Sequence, residues 1–136
     1  CAIVKKKNSK LYLGNIYAKR DWGHAKDYVV AMWKMLNKKK AKDYVIATGK
    51  QYSVKMFVNL VAKELNIKII WKGSGLNEKG YWGNKSIIEI DKRYFRPTEV
   101  NSLRGNAQLA RRELKWKPKY NITALIKEMI KEDFNS

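Results

Sequence analysis

Tyr81 and Lys85 have the Tyr-x-x-x-Lys spacing of a catalytic pair. Such a pair needs a helix, where residues one turn apart share a face. The run Gly80-Tyr-Trp-Gly-Asn-Lys85 is broken by glycines and reads as loop, so the pair is rejected. Gly73-Ser-Gly75 follows an apolar run and resembles part of a dinucleotide loop. Its next glycine is misplaced, and no helix follows to offer its N-terminus to a pyrophosphate. His24 is the only histidine and Cys1 the only cysteine. No Cys/His/Asp cluster has metal-ligand spacing, so His24 reads as structural or helix-capping and Cys1 as inert. Arginines and carboxylates remain. Arg20 is beside Asp21 and near Asp27, and Arg96 is near Asp91, so composition alone makes each an ion-pair partner.

The elements that position these residues follow from periodicity and turn signals. Residues 10–14 alternate and end at Gly14, which predicts a short strand, and 15–23 read as loop. Residues 24–37 carry apolar side chains at helical spacing (Tyr28, Val29, Met32, Trp33, Leu36), followed by three lysines suited to a helix C-terminus. Residues 44–48 read as a buried strand closed by Gly49. Ser53 is a good N-cap for a helix over 54–65, with Phe57, Val58, Leu60, Val61 and Leu65 inward. A strand over 67–71 and a mobile, glycine-rich loop over about 73–85 follow, then a strand over 86–91. Pro97 pushes Arg96 into an extended conformation. Asn106 can cap a short helix over 107–114, Trp116-Lys-Pro118 ends it, and a last helix runs from about 121 or 123 to 133. Tyr28, Trp33, Tyr44 and Trp71 fall in elements assigned to the core. The pattern is a small mixed α/β piece with few strands and no glycine-fingerprinted βαβ unit.

The chain has 136 residues, of which 45% are hydrophobic, enough to bury a core. No apolar run reaches the length of a membrane span, and the N-terminus lacks a secretory pattern. A single cysteine permits no internal disulfide, which fits a cytoplasmic location. The formal charge is +18, from 30 Lys+Arg against 12 Asp+Glu, and would attract any polyanion. Lysines dominate and are scattered along the chain, whereas bidentate phosphate or base contacts lean on arginine. A nucleic-acid surface is therefore the lesser reading. The absence of an initiating Met suggests a chain that begins mid-protein.

The run Gly14-Asn-Ile-Tyr-Ala-Lys-Arg20-Asp-Trp-Gly-His-Ala-Lys-Asp-Tyr-Val29 resembles Gly-Asn-x-x-x-x-Arg-Asp-Trp-Gly-His-Ala-x-Asp-Tyr-Val of the GDP-mannose 4,6-dehydratases, which are extended short-chain dehydrogenase/reductase enzymes. Three further runs match in order: Asp43-Tyr-Val-Ile-Ala-Thr-Gly49, Tyr94-Phe-Arg-Pro-Thr-Glu-Val100 and Leu114-Lys-Trp-Lys-Pro118. The resemblance implies that residues 1–136 are the carboxy-terminal GDP-sugar-binding region of such an enzyme, its Rossmann core largely missing. It implies that Arg20 contacts the diphosphate, that Arg96 does similar phosphate or nucleotide work, and that Glu99 accepts from the nucleoside. Asn15 and Trp22 would shape the same pocket, although Trp22 equally suits packing. Guanidinium forks fit diphosphate oxygens, and a carboxylate fits a vicinal diol.

By the same resemblance NADP belongs to the full-length enzyme, on a Rossmann half that also carries the catalytic Tyr, Lys, Thr and Glu. This chain is then expected to hold no cofactor, metal or catalytic residue, and to be inactive alone. It would take GDP-mannose together with a missing Rossmann half or a full-length subunit, either as a fragment or as a split gene product. Homo-oligomers are expected of the family. Two other readings stand beside this one: a basic nucleic-acid-binding module, and an inactive scaffold pairing with a complete dehydratase.

Overall fold

The computed structural model describes residues 1–6, 9–96, 98 and 100–135. Its elements are β1 (Leu11–Leu13), β2 (Lys19–Arg20), α1 (Ala25–Leu36), β3 (Tyr52–Ser53), α2 (Val54–Glu64), β4 (Ile69–Lys72), β5 (Lys79–Trp82), β6 (Lys85–Ile90), α3 (Gln108–Glu113) and α4 (Ile122–Asn135). Short 3-10 turns occupy Gly75–Asn77 and Lys92–Tyr94. The chain divides into two compact units, Cys1–Ala18 with Ser53–Asn101 and Ile126–Ser136, and Lys19–Tyr52 with Ser102–Leu125.

The first unit is built on a four-stranded sheet of order β1-β6-β5-β4. β1 runs parallel to β6, pairing Leu11 with Ile88 and Leu13 with Ile90, while β5 is antiparallel to both β4 and β6. The segment expected to be a mobile loop over 73–85 thus carries a paired strand. Gly83-Asn84 forms a two-residue connection between β5 and β6, and Gly83 has φ +58°, which a glycine adopts without steric cost. α2 starts where the Ser53 hydroxyl accepts the Met56 N–H at 3.1 Å. Phe57, Val58, Leu60 and Val61 on this helix are half-buried, and Ala62 is buried.

Acidic groups of this unit are matched by side-chain cations. Glu78, only 3% exposed, accepts Lys55 Nζ and the Tyr17 hydroxyl, both at 2.5 Å. Burial pushes the Glu78 carboxyl up, but these two donors outweigh it and hold the group below the ordinary carboxylate value. Glu89 accepts Lys10 at 2.6 Å, and Asp91 accepts the Arg93 guanidinium at 2.6 Å. Arg93 therefore pairs with the aspartate considered for Arg96.

The second unit packs Ala31, Ala47, Ala107, Ala110, Leu114 and Trp116, with Tyr28, Met35, Tyr44 and Ile46 at the edge. Small side chains let α1, α3 and the 44–48 segment approach closely. Residues 44–48 were expected to be a buried strand, but they form no ladder among the described residues. The segment is held through its end and its side chains instead. Asp21 takes the Thr48 and Gly49 N–H groups, while Ala47 and Ile46 enter the apolar cluster.

α1 also departs from expectation. Trp33 is 67% exposed and Leu36 82%, and Val29 and Met32 are exposed with them, while Ala31 is fully buried. The helix is apolar on more than one side, so periodicity could not say which side this unit covers. The remaining helix starts follow the sequence closely. Asn106 Oδ1 accepts the Gln108 N–H, and Asn121 Oδ1 accepts the Ala124 N–H at 2.9 Å.

Candidate functional site

The Arg20-Asp-Trp22 run forms one wall of an open cleft of about 470 Å³ within the second unit. Arg20 ends the short strand β2, and its Nη1 donates to the Lys19 carbonyl at 2.8 Å. β2 is tied to the following wall by a parallel bridge from Lys19 to Ser102 and by the Leu103 N–H donating to the Lys19 carbonyl at 3.3 Å. That wall brings Arg104 to the same cleft, together with Tyr28, the 45–47 segment and Gly105. A Cβ on Gly105 would lie 2.2 Å from the Ala47 Cβ, so only glycine lets this backbone come so near.

Asp21 orders the opposite lip. Its Oδ1 accepts the Thr48 N–H at 3.0 Å and the Thr48 hydroxyl at 2.5 Å, and its Oδ2 accepts the Gly49 N–H at 2.7 Å. Arg111 Nη2 donates to the Thr48 carbonyl at 3.1 Å. Asp27, 3% exposed, accepts the Lys119 and Tyr120 N–H groups at 3.0 Å each, and its own carbonyl accepts Trp116 Nε1 at 2.8 Å. Asp21 and Asp27 thus both hold backbone segments. Burial pushes the Tyr28 phenol above its ordinary pKa, and the charge of Asp21 adds to this, while the phenol oxygen lies against the Gly23 backbone.

His24 caps α1: its Nδ1 accepts the Lys26 N–H at 3.2 Å, and the residue is 5% exposed. Arg20 and Trp22 therefore share a cleft, and the structure adds Arg104 and Tyr28 to them. Arg104 belongs to none of the recognised motifs, so no pattern in the sequence pointed to it. Asn15 belongs to the first unit, where its Oδ1 accepts the Tyr17 N–H at 3.0 Å and its Nδ2 donates to Asn101 Oδ1 at 3.4 Å, holding a turn. Arg96 is an exposed residue of the first unit. Glu99, and Pro97 with it, lie outside the described residues.

The profile of the family described as GDP-mannose 4,6 dehydratase matches residues 1–129. The chain belongs to that family. It is 50% identical over 125 residues to the GDP-mannose 4,6 dehydratase of Dictyostelium discoideum, covering 90% of this chain and 35% of that relative. It is 47% identical to the GDP-mannose 4,6 dehydratase of Drosophila melanogaster, covering 96% and 34%. The chain thus spans about a third of the length of the curated relatives it matches. Among solved structures, RMD from Pseudomonas aeruginosa complexed with NADPH superposes with a TM-score of 0.72 at 19% identity, over 96% of this chain and 38% of that one. That likeness shows the mixed α/β fold, as part of the length of that structure.

In this member of the GDP-mannose 4,6-dehydratase family the Gly73-Ser-Gly75 run is not a dinucleotide loop. The turn at Gly75–Asn77 leads into β5, so no helix N-terminus faces the Gly73-Ser-Gly75 run. Tyr81 lies on β5 and Lys85 on β6, across a hairpin, so they do not share a helical face. No group of three His, Cys, Asp or Glu side chains is placed to hold a metal ion among those residues. Among the described residues no helix is long and apolar enough to cross a membrane.

Proposed function

We propose that this chain supplies the GDP-sugar-binding part of a GDP-mannose 4,6-dehydratase, with the cleft of the second unit taking the diphosphate. The observation that carries this is the presence of two guanidinium groups, Arg20 and Arg104, on one cleft floored by Trp22 and Tyr28. Forked donors match the oxygens of a pyrophosphate, and partial desolvation between aromatic walls strengthens such charge-assisted bonds. Arg96 and Glu99 keep the nucleotide and nucleoside roles that the family resemblance implies, and Asn15 acts through the turn it holds.

The full reaction converts GDP-mannose to the 4-keto-6-deoxy sugar. In this reading its hydride and proton transfers belong to a Rossmann half outside these residues. That half would carry NADP, which supplies hydride acceptance and return when bound. The exposed stripe of Val29, Trp33 and Leu36 on α1 suits burial against such a partner. The chain alone then binds substrate without turning it over, and works in the cytoplasm within an oligomer.

A thermal-shift series tests the reading. GDP and GDP-mannose are expected to raise the melting temperature of the chain, and UDP-glucose is expected to have a much smaller effect. Arg20→Ala should weaken GDP binding about tenfold to a hundredfold, the loss of charge-assisted bonds. Arg20→Lys should recover little, because a point charge lacks the fork. Equal stabilisation by every nucleotide, unchanged by Arg20→Ala, would reduce the cleft to a nonspecific basic surface.

A further inference from the structure

A second cavity in the same unit, about 210 Å³, is separate in its chemistry from the arginine cleft. Its walls carry three aromatic rings, Trp22, Tyr52 and Tyr120, and two lysines, Lys50 and Lys119. No carboxylate is among its lining residues. We propose that this cavity is a binding site for a small planar aromatic ring bearing one anionic group, a phosphate or a carboxylate.

Size limits the ligand. Sites for drug-sized molecules run from about 300 Å³ upward. This cavity therefore suits a single ring with its anion and excludes a whole nucleotide sugar. The composition selects the class. Aromatic faces offer stacking to any planar ring, and the two lysine ammonium groups supply the charge an anion needs.

The walls are held before any ligand arrives. Asp21 fixes residues 48–49 through three donors, and Asp27 fixes the backbone of 119–120 through two. Those hydrogen bonds also engage the carboxylate oxygens, so that their charge is met locally. The Tyr120 ring is steadied by the His24 ring at 4.4 Å between centroids and by Lys26 Nζ at 5.9 Å. Asn121 caps α4 and fixes the last wall. A pocket with ordered walls loses little entropy on binding, which is what a small ligand needs to be held at all.

The proposal does not rest on the reading of Arg20, since Lys50 and Lys119 line this cavity and not the arginine cleft. The test is a titration of the full chain with phenyl phosphate, followed by nuclear magnetic resonance at the amides of residues 50, 52 and 119–121. Inorganic phosphate, benzyl alcohol and benzoate serve as the anion-only, ring-only and carboxylate arms. Phenyl phosphate or benzoate is expected to shift these signals and to bind about tenfold more tightly than either half-ligand. Whichever of the two binds better identifies the anion. The double variant Lys50→Ala/Lys119→Ala is expected to weaken that ligand about tenfold and to leave benzyl alcohol unaffected. Inorganic phosphate binding as tightly as phenyl phosphate would overturn the proposal. So would unchanged affinity in the double variant, or shifts centred on Arg20 and Arg104.

Discussion

The two units use their carboxylates differently. In the first, Glu78, Glu89 and Asp91 each meet a lysine or arginine side chain. In the second, Asp21 and Asp27 accept backbone N–H groups and pin the segments at 48–49 and 119–120. Arg20, Arg104, Lys50 and Lys119 of that unit line cavities. The lesson is that a carboxylate can direct its acceptors to backbone N–H groups as readily as to a neighbouring cation, and the two units differ in which they do. Glu113, which pairs with Lys42 at 2.7 Å, is the exception in the second unit.

This contrast can be broken or sharpened by substitution. The largest effect is expected from Asp27→Ala, which strands the Lys119 and Tyr120 N–H groups beside a buried site. It should cost about 3 kcal/mol in urea unfolding, and a loss near zero would break the contrast. Lys55→Ala leaves Glu78 without its cation in a nearly dry setting, while the Tyr17 hydroxyl remains. About 2 kcal/mol is expected, with partial rescue by Glu78→Gln in the same chain. Glu89→Gln removes a pair whose lysine is 37% exposed, and should cost less than about 1 kcal/mol, shrinking further in high salt.

A pH series adds a finer test. The Lys42 and Tyr44 hydrogen bonds draw Glu113 down from 4.5 to about 2. A depressed carboxyl stabilises the fold above its unfolded value, and that stability is lost as pH falls through the folded value. The urea midpoint should therefore drop between pH 4.5 and about 2, and Glu113→Gln should flatten that part of the curve. An unchanged slope in the variant would remove Glu113 from the account.

Much of this was legible in the residues themselves. His24, Ser53 and Asn121 marked helix starts because side-chain caps are local in sequence, whereas Asn106 lies one residue before Ala107, the N-cap of its helix. The strand β5 escaped notice because Gly80 and Gly83 read as loop formers. Gly83-Asn84 is in fact a two-residue hairpin signal, and it was available in the sequence. Residues 44–48 have the composition of a strand, but a ladder needs a neighbour, and composition does not supply one. The exposed Trp33 has the same origin: periodicity shows that a helix is apolar, and only packing shows which side is covered. Arg20 and Trp22 were readable through their motif. Arg104 was not, because its place on the cleft depends on the bridge between Lys19 and Ser102 and on the close approach of Gly105 to Ala47.

The most direct measurement of the central claim is a GDP titration of the full chain, observed at the arginine side-chain Nε–H resonances. The account predicts that the signals of Arg20 and Arg104 shift together, along one binding curve, and that Arg20→Ala abolishes the Arg104 shift at the same GDP concentration. Shifts at neither residue, or two unrelated curves, would contradict it.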